Sequence, residues 1–252
     1  MASAKATAAP AVPIDASASE PLRLEEEHVH RVYEHIAGHF SETRYKPWPV
    51  VQAFLDRIPA GCLLADVGCG NGKYMGVRKD IGVVGVDRSS GLVKICRDRG
   101  LEAHVGDALC TPFRSGSFDA AISVAVLHHM ATPERRLEGI KVRRQLGFCF
   151  ERPHSDAVLL QELLRIVRPG GSILIYVWAL EQTGKRFDAA DNLVPWQLQQ
   201  RFSDDGSSTK FMRYYHMFAK GELESLCAQA SEAELVASGY DRDNWWAELR
   251  RR

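Results

Sequence analysis

The run Asp66-Val67-Gly68-Cys69-Gly70-Asn71-Gly72 sets an acid two residues ahead of three closely spaced glycines. Glycine allows positive φ and lets a backbone come close to a ligand. A dinucleotide would call for G-x-G-x-x-G, with helix-end amides facing a pyrophosphate. Here the spacing is G-x-G-x-G, and a carboxylate at Asp66 would repel phosphate, so the pattern suits a ligand that carries a cation. Two more acids follow at the ends of apolar runs. Asp87 comes about 20 residues after the glycines, where a carboxylate can accept both hydroxyls of a ribose. Asp107, in Gly106-Asp107-Ala108, can accept an adenine amino group. One such acid carries little weight, because Asp is common at strand ends and helix caps. Three in order describe a cofactor with an ammonium group beside a sulfonium, a ribose and an adenine, which is S-adenosylmethionine.

A second set of residues could handle an anionic, planar substrate. Arg44, Lys46, His128, His129, Arg135 and Arg136 offer charged or neutral donors for a carboxylate, and Tyr33, Tyr45, Trp48 and Trp178 offer faces for an unstacked base. Blander readings stand beside these. Tyr33 falls on an apolar helix stripe and reads sooner as core. One of His128 and His129, next to a strand end, could equally cap a backbone group. Arg135 and Arg136 could equally be a solvated helix start, and the runs Arg143-Arg144 and Arg250-Arg251-Arg252 read as solvated charge.

The elements that must position these residues alternate. Val29, Val32, Tyr33, Ile36 and Phe40 form one stripe of a helix over 25–40. Apolar runs at 62–67, 82–87, 101–105, 118–124 and 172–178 read as strands, with crossover segments such as 91–98 between most of them. That alternation predicts a doubly wound, mostly parallel α/β sheet. The runs 234–240 and 245–249 lie so close together that they should form an antiparallel hairpin at its edge. Between them and Trp178 the pattern weakens into polar stretches at 181–191 and 199–210, followed by a helix near 221–230. No internal repeat is apparent.

Composition sets the outer bounds. At 252 residues and 45% hydrophobic content the chain can bury one full core. Lys plus Arg equals Asp plus Glu at 32 each, so no global field marks a nucleic-acid binder and an anionic partner must be held locally. The six cysteines form no C-x-x-C pair, which suggests reduced thiols of an intracellular protein and neither a zinc site nor a disulfide framework. No run reaches the roughly 18 apolar residues of a membrane span. Residues 1–24 are rich in Ala, Ser and Pro and read as a disordered tail, leaving a single catalytic domain over 25–252.

The series DVGCGNGKY, VGVDRS, GDA, FDAAISVAVLHH and VRPGGSILIYVW resembles the class I S-adenosylmethionine-dependent methyltransferases. HVHRVYEHIAGHFSETRYKPWP, HHMATPERR, YVWALEQ, LVPW, RYYHMFAKGEL and DNWW narrow the resemblance to the eukaryotic tRNA methyltransferases that esterify 5-carboxymethyluridine at the wobble position. The resemblance implies a seven-stranded sheet and a cofactor cradle of Asp66, Gly68, Gly70, Asp87, Asp107, Ala108 and Val124. It implies catalytic roles for His128, Arg135 and Arg44, substrate contacts from Lys46, Tyr45, Trp178, His129 and Arg136, and no metal. It also implies a tRNA anticodon loop as substrate, a small zinc-binding activator protein as partner, and residence in the cytoplasm with the nucleus as a second compartment. One departure stands out: where the family runs a continuous helix, this chain has an insertion at about 141–155 containing Gly147 and Pro153, both helix breakers. Two other readings stay open, a methyltransferase for a small carboxylic acid and a non-catalytic scaffold of the same fold.

Overall fold

The computed structural model describes residues 10–16, 20–44, 46–132, 136, 159–183, 187–202 and 209–252. The insertion at 141–155, Tyr45 and Arg135 lie outside them. Along the chain a two-residue strand β1 (Val12–Pro13) and a short helix α1 (Pro21–Glu25) lead through a π-helical turn (Glu26–His30) into α2 (Arg31–Thr43) and α3 (Pro49–Asp56). Val29, Val32 and Ile36 are buried, as the stripe requires, so this region packs onto the body of the protein.

Seven strands then build the main sheet: β2 (Leu63–Val67), β3 (Gly82–Asp87), β4 (Ala103–Val105), β5 (Phe118–Val124), β6 (Val167–Trp178), β9 (Ala233–Asp241) and β10 (Asn244–Arg251). Their spatial order is β4-β3-β2-β5-β6-β10-β9. β2 pairs in parallel with both β3 and β5, and β5 with β6. Helices α4 (Ser90–Asp98) and α5 (Leu159–Ile166) follow in the crossovers. Strands covered on both faces need near-continuous apolar sequence, and β2 and β5 have it: Leu64, Ala65, Val67, Ala121 and Ile122 are all fully buried. β10 runs antiparallel to β6 and β9. Arg242 and Asp243, both at positive φ, form the two-residue turn of this hairpin, the geometry that matches strand twist. The α/β sheet and its closing hairpin are therefore present as read from the pattern.

A second, three-stranded sheet was not anticipated. Its order is β1-β7-β8, with β7 (Asp191–Gln197) and β8 (Lys210–His216) pairing antiparallel over seven residues. Pro195 hides β7, because proline inside a strand argues against that assignment. It is tolerated because β1 covers only Asn192 and Leu193, leaving the Pro195 stretch without a paired strand on that side among the described residues. This pairing also corrects the expected disordered tail for part of its length. Val12 and Pro13 are strand residues, and Ala16 and Leu24 are buried with Val29, Ala131 and Tyr214. Two buried apolar side chains were too few to register against the Ala/Ser/Pro background. A further difference concerns the thiols. Cys62, Cys69, Cys96 and Cys227 are free, but Cys110 is disulfide-bonded. The last helix, α6 (Glu222–Ala228), packs on the β9–β10 hairpin.

Candidate active site

In an open parallel sheet the ligand crevice lies at the carboxyl ends of the strands, where the strand order reverses. Here that point lies between β2 and β5, and a cavity of about 180 Å³ opens there. Asp66, Asp87, Asp107 and Val124 reach it from the ends of four adjacent strands, joined by Gly68, Gly70 and Ala108.

The glycine turn is shaped by steric necessity. Gly68 has φ +81°, and a Cβ there would lie 2.1 Å from Val126 Cγ2. Asp87 ties the turn to β3: its Oδ2 accepts from the Gly70 amide at 2.8 Å and its Oδ1 from the Ser89 amide at 2.9 Å. Each oxygen keeps a lone pair for a ligand hydroxyl. The Gly70 amide is committed to this bond and so does not face a ligand. Asp107 accepts from Leu109 N at 2.9 Å and pairs with Arg88 at 2.7 Å.

Asp66 differs from the other two acids. It is 1% exposed, and its Oδ2 has no hydrogen-bond partner. Burial, reinforced by the nearby Asp87, pushes its carboxyl up to about 7, with Lys73 acting in the opposite sense. An orphaned buried carboxylate oxygen is costly and is the group an ammonium or sulfonium would satisfy. Asp66 thus fits the cationic end of S-adenosylmethionine, and Asp87 fits its ribose.

The opposite wall is aromatic and basic. Trp178 stacks on Tyr215 with ring centres 4.3 Å apart, and Trp48, Tyr33, Arg44, Lys73 and Arg213 complete the lining. The Lys73 ammonium sits 4.3 Å from the centre of Trp48, and burial pulls its pKa down to about 8.

The histidines turn out to be neutral. His128 is fully enclosed; its Nδ1 accepts the Trp178 backbone N–H at 3.1 Å, and burial holds its pKa well below the usual value. His129 donates from Nδ1 to the Tyr214 carbonyl at 2.7 Å, and burial lowers its pKa to about 3. Both therefore cap backbone groups and neither supplies a cation. Tyr33, read sooner as core, lines the cleft and bonds His129 Nε2 at 3.0 Å.

The remaining assignments divide. Arg44 reaches the cleft, and its carbonyl accepts from Asn71 in the glycine turn at 3.0 Å. Trp178 lies in the lining. Lys46 is exposed and outside the lining. Arg136 is buried away from it, donating to the Met130 carbonyl at 2.8 Å. Tyr45 and Arg135 fall outside the described residues. The residues missed by sequence reasoning are Arg213, Tyr215 and Lys73. The signal for the first two was period-2 spacing in Arg213-Tyr214-Tyr215, which puts Arg213 and Tyr215 on one face of a strand. Among the described residues no group of three or more His, Cys, Asp or Glu is placed to hold a metal ion, and no helix is long and apolar enough to cross a membrane.

Comparison with known proteins agrees with this geometry. Residues 65–175 match the family described as "Methyltransferase domain". Over 88% of its length the chain is 41% identical to a tRNA (carboxymethyluridine(34)-5-O)-methyltransferase of Xenopus tropicalis, of which it spans only 40%. The Schizosaccharomyces pombe protein of the same name is 39% identical, with 89% of this chain and 96% of that protein covered. Among solved structures, a Burkholderia thailandensis 1,6-didemethyltoxoflavin-N1-methyltransferase with bound S-adenosylhomocysteine superposes at TM-score 0.61 with 17% identity, covering 96% of this chain and 94% of that one. The methyltransferase in a Haloferax volcanii complex with the Trm112 activator superposes at 0.54 with 16% identity, covering 89% and 98%. The near full-length match to the fission yeast protein shows that this chain belongs to the family of tRNA (carboxymethyluridine(34)-5-O)-methyltransferases.

Proposed function

We propose that the chain methylates the carboxylate of 5-carboxymethyluridine at the wobble position of a tRNA, giving the methyl ester. The observation that carries this reading is the two-sided cleft, with cation-seeking acids on the strand ends and a basic, aromatic wall facing them. When bound, S-adenosylmethionine supplies a methyl group on a positively charged sulfur; the O–CH3 bond forms as the S–CH3 bond breaks, and no proton moves. The chain's own residues have to hold and orient. A carboxylic acid titrating near 4 is already ionised at neutral pH, so no general base is required, which accords with His128 and His129 being neutral. Alignment of the two reactants supplies most of the acceleration. Asp66 and Asp87 hold the cofactor end, while Trp178 and Tyr215 offer a face to the base.

The proposal includes a small zinc-binding activator as partner. Its support is the activator bound to the Haloferax volcanii neighbour, together with the outer edge of β4, which pairs with no further strand among the described residues and where Val105 is 53% exposed. Strand addition would cover such an edge. The test is mass spectrometry of nucleosides from tRNA bearing 5-carboxymethyluridine, incubated with S-adenosylmethionine and the chain, with and without co-expressed activator. The ester should appear, and strongly only with the activator. No ester in either case overturns the activity, while equal yield from a monodisperse lone chain overturns the partner.

A further inference from the structure

Arg213 is a charged side chain deep in the protein that meets no anion among the described residues. It is 4% exposed, yet it lines the cleft. Its guanidinium lies over Trp196, 4.6 Å from the ring centre, and over Tyr215 at 5.1 Å. Among the described residues no carboxylate forms an ion pair with it, and its Nε has no hydrogen-bond partner. A buried cation in this state is costly unless something pairs with it.

Its hydrogen bond to Tyr215 is fixed by a directional chain. The partner at His129 Nδ1 is a carbonyl, so Nδ1 carries the ring proton and Nε2 must accept. Tyr33 therefore donates its single hydroxyl proton to Nε2 at 3.0 Å. The contact between the Tyr33 and Tyr215 hydroxyls at 3.3 Å then has only one possible donor, Tyr215. With that proton committed, the Tyr215 oxygen can only accept, and Arg213 Nη1 donates to it at 2.6 Å. Each member settles the next, from the Tyr214 carbonyl back to Arg213.

We propose that Arg213 receives the carboxylate of the substrate, held in place by the Tyr215–Tyr33–His129 chain. This rests on the ester-forming function proposed above and names the residue that makes it selective for an acid. With one Nη1 proton committed to Tyr215, the unpartnered Nε–H and the Nη2 donors remain to hold the carboxylate. Each carboxylate oxygen has two lone pairs, so an oxygen that accepts an N–H from Arg213 keeps a pair to attack the methyl group. The carboxylate of the cofactor's methionine end is the other candidate anion. Arg213 comes from β8 beside the Trp178–Tyr215 stack, where a base would rest.

The experiment compares two tRNA ligands with the same uridine skeleton, one carrying the carboxymethyl group and one the neutral carbamoylmethyl amide. Both are measured as competitors of methylation by the chain with its activator, for wild type, Arg213→Met, Arg213→Gln and Arg213→Lys. Wild type should favour the acid by roughly tenfold to hundredfold, the range of a charge-assisted bond. Arg213→Met and Arg213→Gln should lose that preference, and Arg213→Lys should regain part of it. Calorimetry with S-adenosylhomocysteine should give unchanged affinity for all four, which also certifies their fold. An acid preference that survives in both neutral variants overturns the proposal, as does its absence in the wild type. A tenfold loss of S-adenosylhomocysteine binding with the acid preference intact assigns Arg213 to the cofactor instead, and overturns it too. A wild type that forms no ester would be a failure of the function itself, separate from these outcomes.

Discussion

Among the three acids, Asp66 is the one whose ionisation should couple to the cofactor. Asp87 and Asp107 are already held by backbone amides, whereas Asp66 is buried with an oxygen that has no partner, and its carboxyl sits at about 7. An unfolded Asp titrates near 4. Between about pH 4 and 7 the folded, empty protein therefore binds more protons than the unfolded chain, and its stability falls as pH rises across that window and levels off above it. A cationic ligand reverses the preference, because it needs the carboxylate. Binding below pH 7 must then release a proton, so S-adenosylhomocysteine affinity should climb from pH 5.5 toward 7, by up to about tenfold per unit, and flatten by pH 8. Asp66→Asn should bind more weakly with no such slope. Calorimetry in two buffers of different ionisation heat measures the proton directly, and a flat wild-type profile would contradict the role. The acids were legible in the sequence because each ends an apolar run at a familiar interval. Arg213 and Tyr215 were harder to find, because period-2 spacing says only that they share a strand face, while the contacts of Tyr215 with Tyr33 and His129 that bring them to the cleft span 80 or more positions.

At the scale of elements, the second sheet is what brings Arg213 and Tyr215 to the cleft, and His216 fastens it. Its Nδ1 meets Asp191 of β7 at 2.9 Å and its Nε2 meets Glu222 of α6 at 2.7 Å. Two carboxylates need two N–H donors, so the ring is held as an imidazolium. Burial works against the charge, but the bonds to Asp191 and Glu222 outweigh it and raise the pKa above the ordinary value. Arg136 nearby opposes it slightly, and the Tyr214 hydroxyl also donates to Asp191. A raised histidine contributes stability that is full below its unfolded pKa, about 6.5, and is lost as pH rises through the folded value. Thermal denaturation should thus show wild type more stable than His216→Gln at pH 6, with the gap closing as pH rises toward 9. A gap that does not change with pH would refute the clamp. The main sheet could be read from its apolar runs because parallel strands buried on both faces leave a continuous pattern. The second sheet could not, since β7 carries Pro195, β8 mixes Lys210, Arg213 and His216 with aromatics, and its third strand is only two residues long.

Over the whole molecule, positive and negative side chains balance at 32 each. A polyanion therefore meets no long-range attraction from net charge, and tRNA has to be gripped by local cations. The cleft separates two kinds of cation. Arg213 is buried and available to one carboxylate, while Arg44 is exposed at the rim, lying 5.4 Å from the centre of Trp196. A rim cation that meets a phosphate releases a counterion, so its removal should lower the slope of log(kcat/KM) against log salt by about 0.7 to 0.9. A buried group that meets the base's own carboxylate releases no counterion from the phosphate backbone, so its loss lowers the rate at every salt and leaves the slope alone. Initial rates on 5-carboxymethyluridine tRNA from 50 to 200 mM salt should therefore split the variants into two classes. Arg44→Ala and Lys46→Ala should flatten the line, and Arg213→Gln should shift it down in parallel. A small-acid enzyme of the same fold would give a nearly flat line for wild type as well, and that single result would remove tRNA as the substrate.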